Sequence, residues 1–159
     1  MLDTIIGALA DVLTEGGVNA VREYPGTRPV RRDEPVVCVG VKSGRLTGSG
    51  MGEYIGTDKT DGMEIYALRL ELVISMDIFA PVDFSGGCIS VLEKISSLLP
   101  VFPAGIKPAA IVSGEVSPDF DTEMLRCNTE LHCTASLTCQ ADEETGEFLD
   151  FKLKGTVRT

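Results

Sequence analysis

Residues 64–81, EIYALRLELVISMDIFAP, decide the fold. Tyr66, Leu68, Leu70, Leu72, Ile74, Met76 and Ile78 recur at every second position, whereas the other parity carries Arg69, Glu71, Ser75 and Asp77 among apolar neighbours. A period of two marks a half-buried strand, because successive side chains of an extended chain point to opposite faces. The length of this strand is unusual. At about 3.3 Å per residue, about sixteen residues of it span roughly 50 Å, while a globule of 159 residues is roughly 40 Å across. Such a strand must bend, break at a bulge, or pair with something outside its own domain.

Downstream, the loop VDFSGG leads into a predicted helix over residues 86–99. There Cys88, Ile89, Val91, Leu92, Ile95, Leu98 and Leu99 form a wide apolar stripe, expected to lie on the apolar face of the long strand. Ser85 is available as its cap, and Pro100 and Pro103 prevent its continuation. Upstream, Leu2, Ile5, Ile6, Leu9, Val12 and Leu13 predict an amphipathic helix over residues 2–15, with Asp3 or Thr4 as N-cap and Gly16-Gly17 as the stop. A short strand is possible in VNAVREY, and VVCVGV (36–41) predicts another. Residues 43–62 hold six glycines and almost no periodicity, which reads as a long flexible connection between two paired strands.

After residue 100, AAIVSGEV (109–116) predicts a strand and SPDFDTE a turn. A second long alternation follows. Leu125, Cys127, Thr129, Leu131, Cys133, Ala135, Leu137 and Cys139 share one face, against an entirely polar face from Arg126 to Gln140. The acidic turn ADEETGE then precedes a last alternating strand, FLDFKLKGTV. The expected fold is α+β: a mostly antiparallel β-sheet with two amphipathic helices packed on one face, with long β-strands and a long flexible loop. It is read as one domain over residues 1–159, with the loop at about 43–62 and a C-terminal β-hairpin at about 123–158.

The net charge of −10 argues against a chain whose main task is gripping nucleic acid. Charge is also unevenly distributed. Between Glu115 and Asp150 stand ten acids and one base, whereas residues 21–32 carry Arg22, Arg28, Arg31 and Arg32 against Glu23. This separation would suit head-to-tail contacts between copies. No apolar run is long enough to span a membrane, and the N-terminus lacks the basic segment of a secretory signal, so a cytoplasmic site of synthesis with reduced thiols is expected.

No residue set predicts catalysis or a bound metal or cofactor. Cys127, Cys133 and Cys139 lie six strand residues apart, or roughly 20 Å, too far to share one zinc ion with sulfurs at about 2.3 Å. They read as small core residues. His132, the single histidine, sits on a polar strand face beside Glu130 and Thr134 without a positioned nucleophile. Asp119, Asp121 and Glu123 alternate but lack the glycine and terminal glutamate of a calcium loop, so they read as an acidic turn. The chain therefore reads as an interaction protein.

The order of features carries a resemblance. An amphipathic opening helix, the YPGTRPVRR connection, the VVCVGV strand, a Gly-rich excursion, LRLELVISMDIFAP, a helix beginning GGCISVLEKI and a β-rich end together resemble the tail terminator (tail completion) proteins of long-tailed bacteriophages and related phage-tail-like particles. The likeness covers roughly residues 1–140, and the hairpin around ETGEF matches no feature of that family. It implies a structural virion protein without enzymatic activity, forming a hexameric ring that caps the tail tube and ends its polymerisation. The implied partners are further copies of the chain, the tail tube protein and the head–tail connector or neck protein, with DNA passing through the ring without specific binding and no membrane contact. The implied location is the head-proximal end of the virion tail, after assembly in the host bacterial cytoplasm.

Candidate subunit or partner contacts are Arg22, Arg28, Arg31, Arg32, Leu46, Met51, Tyr54, Ile55, Asp119, Asp121, Glu143 and Glu144. The competing readings are another tail or neck component, such as a tail tube or head-completion protein, and a small-molecule-binding α+β domain, which would require a concave pocket with convergent polar groups.

Overall fold

The computed structural model describes residues 2–23, 31–48, 54–57, 64–99, 105–141 and 148–153. In chain order these form α1 (Leu2–Glu15), β1 (Ala20–Arg22), β2 (Val36–Gly48), β3 (Tyr54–Thr57), β4 (Glu64–Ala80), α2 (Gly87–Leu98), β5 (Ile106–Asp119), β6 (Met124–Ala141) and β7 (Phe148–Leu153). The fold is α+β, with one seven-stranded sheet in the order β1-β2-β4-β6-β5. β3 lies beside the start of β4, and β7 beside the end of β6. Among the described residues only the β1–β2 pair is parallel.

The long strand is the axis of this sheet. β4 pairs with β6 from Glu64↔Ala141 to Ala80↔Leu125 without a shift of register, so it does not break at a bulge. The irregularities fall in its flanking strands instead: between Val41 and Ser43 of β2, between Tyr54 and Gly56 of β3, and at two places in β5. β2 accompanies β4 only as far as Gly48↔Leu68, and β3 takes up the same side at Tyr66. On the other side, β5 stops at Ile106↔Ala135 and β7 begins at Leu153↔Leu137. The distal end of the β4–β6 ribbon is thus walled by β3 and β7, and the proximal end by β1, β2 and β5.

Both helices cover one face of the proximal part. Leu70, Leu72, Ile74, Met76 and Ile78 of β4 are buried, with Cys127, Leu131, Cys133, Ala135 and Leu137 beside them on β6. Onto this face α1 sets Ile5, Ile6, Leu9 and Leu13, and α2 sets Cys88, Val91 and Ile95. Burying each large aliphatic side chain stabilises the fold by about 1.5–3 kcal/mol, which makes this cluster the main source of stability. A smaller cluster of Val36, Phe79 and Met124 lies at the proximal end, on the opposite parity. The Cys88 thiol points at the carbonyls of Ile78 and Leu125, and the Lys94 ammonium donates to the Gly17 carbonyl at 2.7 Å, tying α2 to the end of α1.

The helix ends differ from the sequence reading. α1 starts at Leu2, so Asp3 lies in its first turn and pairs with Arg22 rather than capping it. α2 begins after Gly86, whose φ of 84° makes the sharp entry, and no side chain caps it; Ser85 does not serve. The stop of α1 is as expected. Gly17, at φ 78°, donates to Thr14 while Val18 donates to Leu13, the paired closure that needs a left-handed residue just past the helix. Gly17→Ala is expected to lower stability by about 1 kcal/mol in urea unfolding, because a Cβ is strained at that φ.

The expected loop at 43–62 is corrected. Ser43–Gly48 continue β2 and Tyr54–Thr57 form β3, while 49–53 and 58–62 lie outside the described residues. The reason is local burial. These segments pair through their backbones at the edge of the ribbon, where Lys42, Ser43, Gly44, Arg45 and Leu46 are exposed, so little apolar alternation is needed. The strand expected at 109–116 likewise runs from Ile106 to Asp119.

Candidate functional site

Two surfaces concentrate the chemistry of the chain. The first is the face of the sheet away from the helices, where β4 contributes Glu71, Val73, Ser75 and Asp77, and β6 contributes Arg126, Asn128, Glu130 and His132. A cleft of about 750 Å³ reaches from here past the end of β1 and around β2 to Asp3 and Ile6 of α1. Glu23, Gly40, Lys42, Asp77, Arg126 and Glu130 line it.

Its charges are paired. Arg126 donates to Asp77 at 2.6 Å and lies over the Phe79 ring with its guanidinium carbon 5.4 Å from the centroid. Burial pulls the Arg126 guanidinium down, but the hydrogen bond and charge of Asp77, with Asp119 and Glu23 behind, outweigh it and hold the group above its ordinary range. Ser75 donates to both Glu23 and the Gly40 carbonyl at 3.3 Å. Lys42 donates to Glu130, which also meets the His132 ring at 3.5 Å. The hydrogen bond from Lys42 holds the Glu130 carboxyl below its ordinary range against the opposing effect of desolvation, with the Lys42 charge and His132 adding to it. In this cleft Asp77 and Glu130 are both tied to cations, an arrangement that braces three strands across the sheet.

The second surface is the rim of the elongated sheet. At the distal rim, Leu46 and Tyr54 are each 49% exposed, and the Tyr54 ring meets Tyr66 edge-on at 5.8 Å. The register places Leu46 opposite Leu70 and Tyr54 opposite Tyr66, on the helix-bearing face. Val41, opposite Ile74 on that same face, is 42% exposed. At the proximal rim, Phe120 is 90% and Val82 71% exposed.

The candidate contact residues divide accordingly. Leu46 and Tyr54 lie on the distal rim, and Ile55 belongs to β3, its side chain lying outside the described residues. Arg31 and Arg32 lie at the proximal end, with Val82, Asp83 and Glu123. Arg31 is paired with Glu123 within the chain, so the basic and acidic segments already meet there in one copy. Arg22 lies over α1, paired with Asp3. Asp119 accepts from the Thr122 backbone at 3.0 Å and from its hydroxyl at 2.5 Å, which makes it the brace of the β5–β6 turn, while Asp121 is exposed. Arg28, Met51, Glu143 and Glu144 lie outside the described residues.

Val82, Phe84 and Phe120 were not among the candidates. Their signal is present in the sequence, since large apolar residues inside the turn segments PVDFSGG and SPDFDTE have no periodic core position to occupy.

Cys127 and Cys133 lie on the core face, at 1% and 3% exposure. Cys38, Cys88, Cys127 and Cys133 are all free thiols. Burial pushes the thiols of Cys38, Cys88 and Cys133 up from 9.0 to about 11, and at Cys38 the carboxylates of Glu23 and Asp77 add to the effect. The folded chain therefore keeps protons that the unfolded chain gives up. Their contribution to stability is whole below pH 9 and disappears as pH rises through 11. Urea midpoints are expected to fall across that window, and iodoacetamide at pH 8 is expected to label these three thiols rapidly only after unfolding. Among the described residues no group of three or more His, Cys, Asp or Glu side chains is arranged to hold a metal ion.

Comparison with known proteins finds no family model that matches the chain and no curated protein similar to it in sequence.

Proposed function

We propose that this chain is the subunit of a ring that caps the head-proximal end of a phage tail tube, ends its polymerisation and offers the docking surface for the head–tail connector. The observation that carries this reading is the overlong β4–β6 ribbon. It outruns the helix-covered core and ends in short walls, β3 and β7, with apolar side chains left exposed at both rims. A self-contained binding domain has no use for such an overhang, whereas a subunit that completes its surface against neighbours does. The order of elements that resembles tail terminators supports the same reading, and the net charge of −10 suits a ring through which DNA slides without adhering. The ring binds copies of itself, the tail tube protein and the connector; it turns over no substrate.

Particles assembled without this protein test the proposal. Tails of irregular or excessive length, without heads, are the expected result in electron micrographs, together with one ring at the head-proximal end of each tail in complete particles. Tails of normal length joined to heads would overturn it, and a continuous stack of the protein along the tail would make it the tube subunit instead.

A further inference from the structure

Among the described residues, Glu123 is the one non-glycine residue with a positive φ, at 54°. A left-handed glutamate is strained, and strain held in an exposed turn points to a surface that must keep one shape. The turn between β5 and β6 is braced on both sides of its tip. Asp119 accepts from the backbone and the hydroxyl of Thr122, Thr122 is buried, and Glu123 is pinned to Arg31. This brace presents Phe120, at 90% the most exposed of the large apolar residues described. A rigidly held aromatic in water has the form of an interface anchor, because little loop or rotamer freedom is lost when a partner covers it.

We infer that Phe120 of one copy inserts into the hollow between α2 and the residues leading into β1 and β2 of the next copy. That hollow measures about 410 Å³, and Val18, Asn19, Pro35, Phe84, Val91 and Lys94 are among its walls. The exposed Phe84 ring there offers an aromatic contact. Position fits. Among the described residues the strand order is β1-β2-β4-β6-β5, so the β5–β6 turn stands at one lateral end of the proximal rim and the approaches to β1 and β2 at the other. Copies repeated by rotation with a common orientation therefore bring the knob of one beside the hollow of the next, head to tail. Charge fits as well. Asp121, exposed beside the knob, and Lys94, which donates only to the neutral Gly17 carbonyl, both lack an ion-pair partner among the described residues. Glu34 is the one acid among the walls, and it opposes the acidic knob. A second copy is favoured over a foreign protein because both halves of the contact lie on this chain. The inference rests on the ring reading only in repeating the copies by rotation.

The test uses the full chain with light scattering after size exclusion. Phe120→Ser is expected to weaken self-association about thirtyfold per contact, with unchanged circular dichroism, because the side chain is exposed. Asn19→Trp, which fills the hollow from an exposed position, is expected to do the same. Mixed one to one, these two variants are expected to form a dimer and nothing larger, since one working knob and one working hollow remain. Glu34→Gln is expected to tighten assembly about threefold, because it removes the like charge. In a second arm, Phe120→Cys combined with Asn19→Cys is expected to give a covalent ladder beyond the dimer on mild oxidation, in solution and in complete particles, where neither single variant does. Oligomers that tolerate Phe120→Ser and Asn19→Trp and give no ladder would overturn the contact and leave the ring reading standing. A wild-type chain that stops at two copies, or stays monomeric with no ladder in particles, would overturn both. Assembly through Phe120 by a protein whose loss leaves tails normal would keep the contact and sink the tail reading.

Discussion

Leu72→Asp is expected to leave the chain unfolded at room temperature. Leu72 is 2% exposed and lies mid-strand on the helix-bearing face, paired with Cys133 on β6 and Gly44 on β2. An aspartate there either carries an unpaired charge into an apolar core or stays protonated at the expense of its hydration, and it also forfeits the packing of the leucine. The combined cost is several kcal/mol, about 4 or more. A domain of this size commonly holds only about 5–15 kcal/mol in total, so most of the stability is lost. Far-ultraviolet circular dichroism and urea unfolding check it, with Arg69→Ser as the control. Arg69 is exposed on the opposite parity of the same strand, and its replacement should shift stability by under about 0.5 kcal/mol. A folded Leu72→Asp protein of normal midpoint would mean that β4 faces the other way.

Asp77→Ala is expected to cost more than its surface-like position suggests, about 2 kcal/mol, and the double variant Asp77→Ala/Arg126→Ala is expected to cost less than the two single effects summed. The Asp77 side chain is 15% exposed and that of Arg126 39%, so the pair is shielded from salt but not sealed from water. Removing the carboxylate leaves the guanidinium with one nitrogen, Nε, already buried without a partner among the described residues, and strips the charge that compensates its desolvation. Breaking one half of such a pair is costlier than deleting both, because the orphaned charge stays in place. A double-mutant cycle in urea should give a coupling of about 1–2 kcal/mol. Additive single effects would mean that the contact at 2.6 Å contributes nothing to folding.

The two long alternations and the two helices were legible because each buries one continuous face against the same core. Leu70 to Ile78 and Cys127 to Leu137 answer one another pair by pair across β4 and β6, and a buried row must repeat with the period of the strand. What lay outside that core was not legible. The distal half of β2 and β3 lie at an exposed rim and are held there largely by backbone pairing, so Ser43, Gly44 and Thr47 carry no periodic apolar signal. The turn residues misled for a related reason: Ser85 is a good cap by type, but the chain enters α2 through a left-handed Gly86 that turns it away.

Two features of the candidate surfaces needed the fold. Arg31 and Glu123, 92 positions apart, meet in one chain, which no charge count along the sequence predicts. That β5, with its prolines and register breaks, is an outer strand among the described residues is seen only once strand order is known, since prolines and bulges acquire meaning from whether a neighbour lies beside them. For residues 64–81, the sequence by itself determined a strand too long for its globule and which of its faces would be buried, because hydrophobic alternation is a local property. Only the tertiary structure decided that this strand stays unbroken and where its flanking partners stop, because backbone hydrogen bonding between distant segments writes no pattern into either of them.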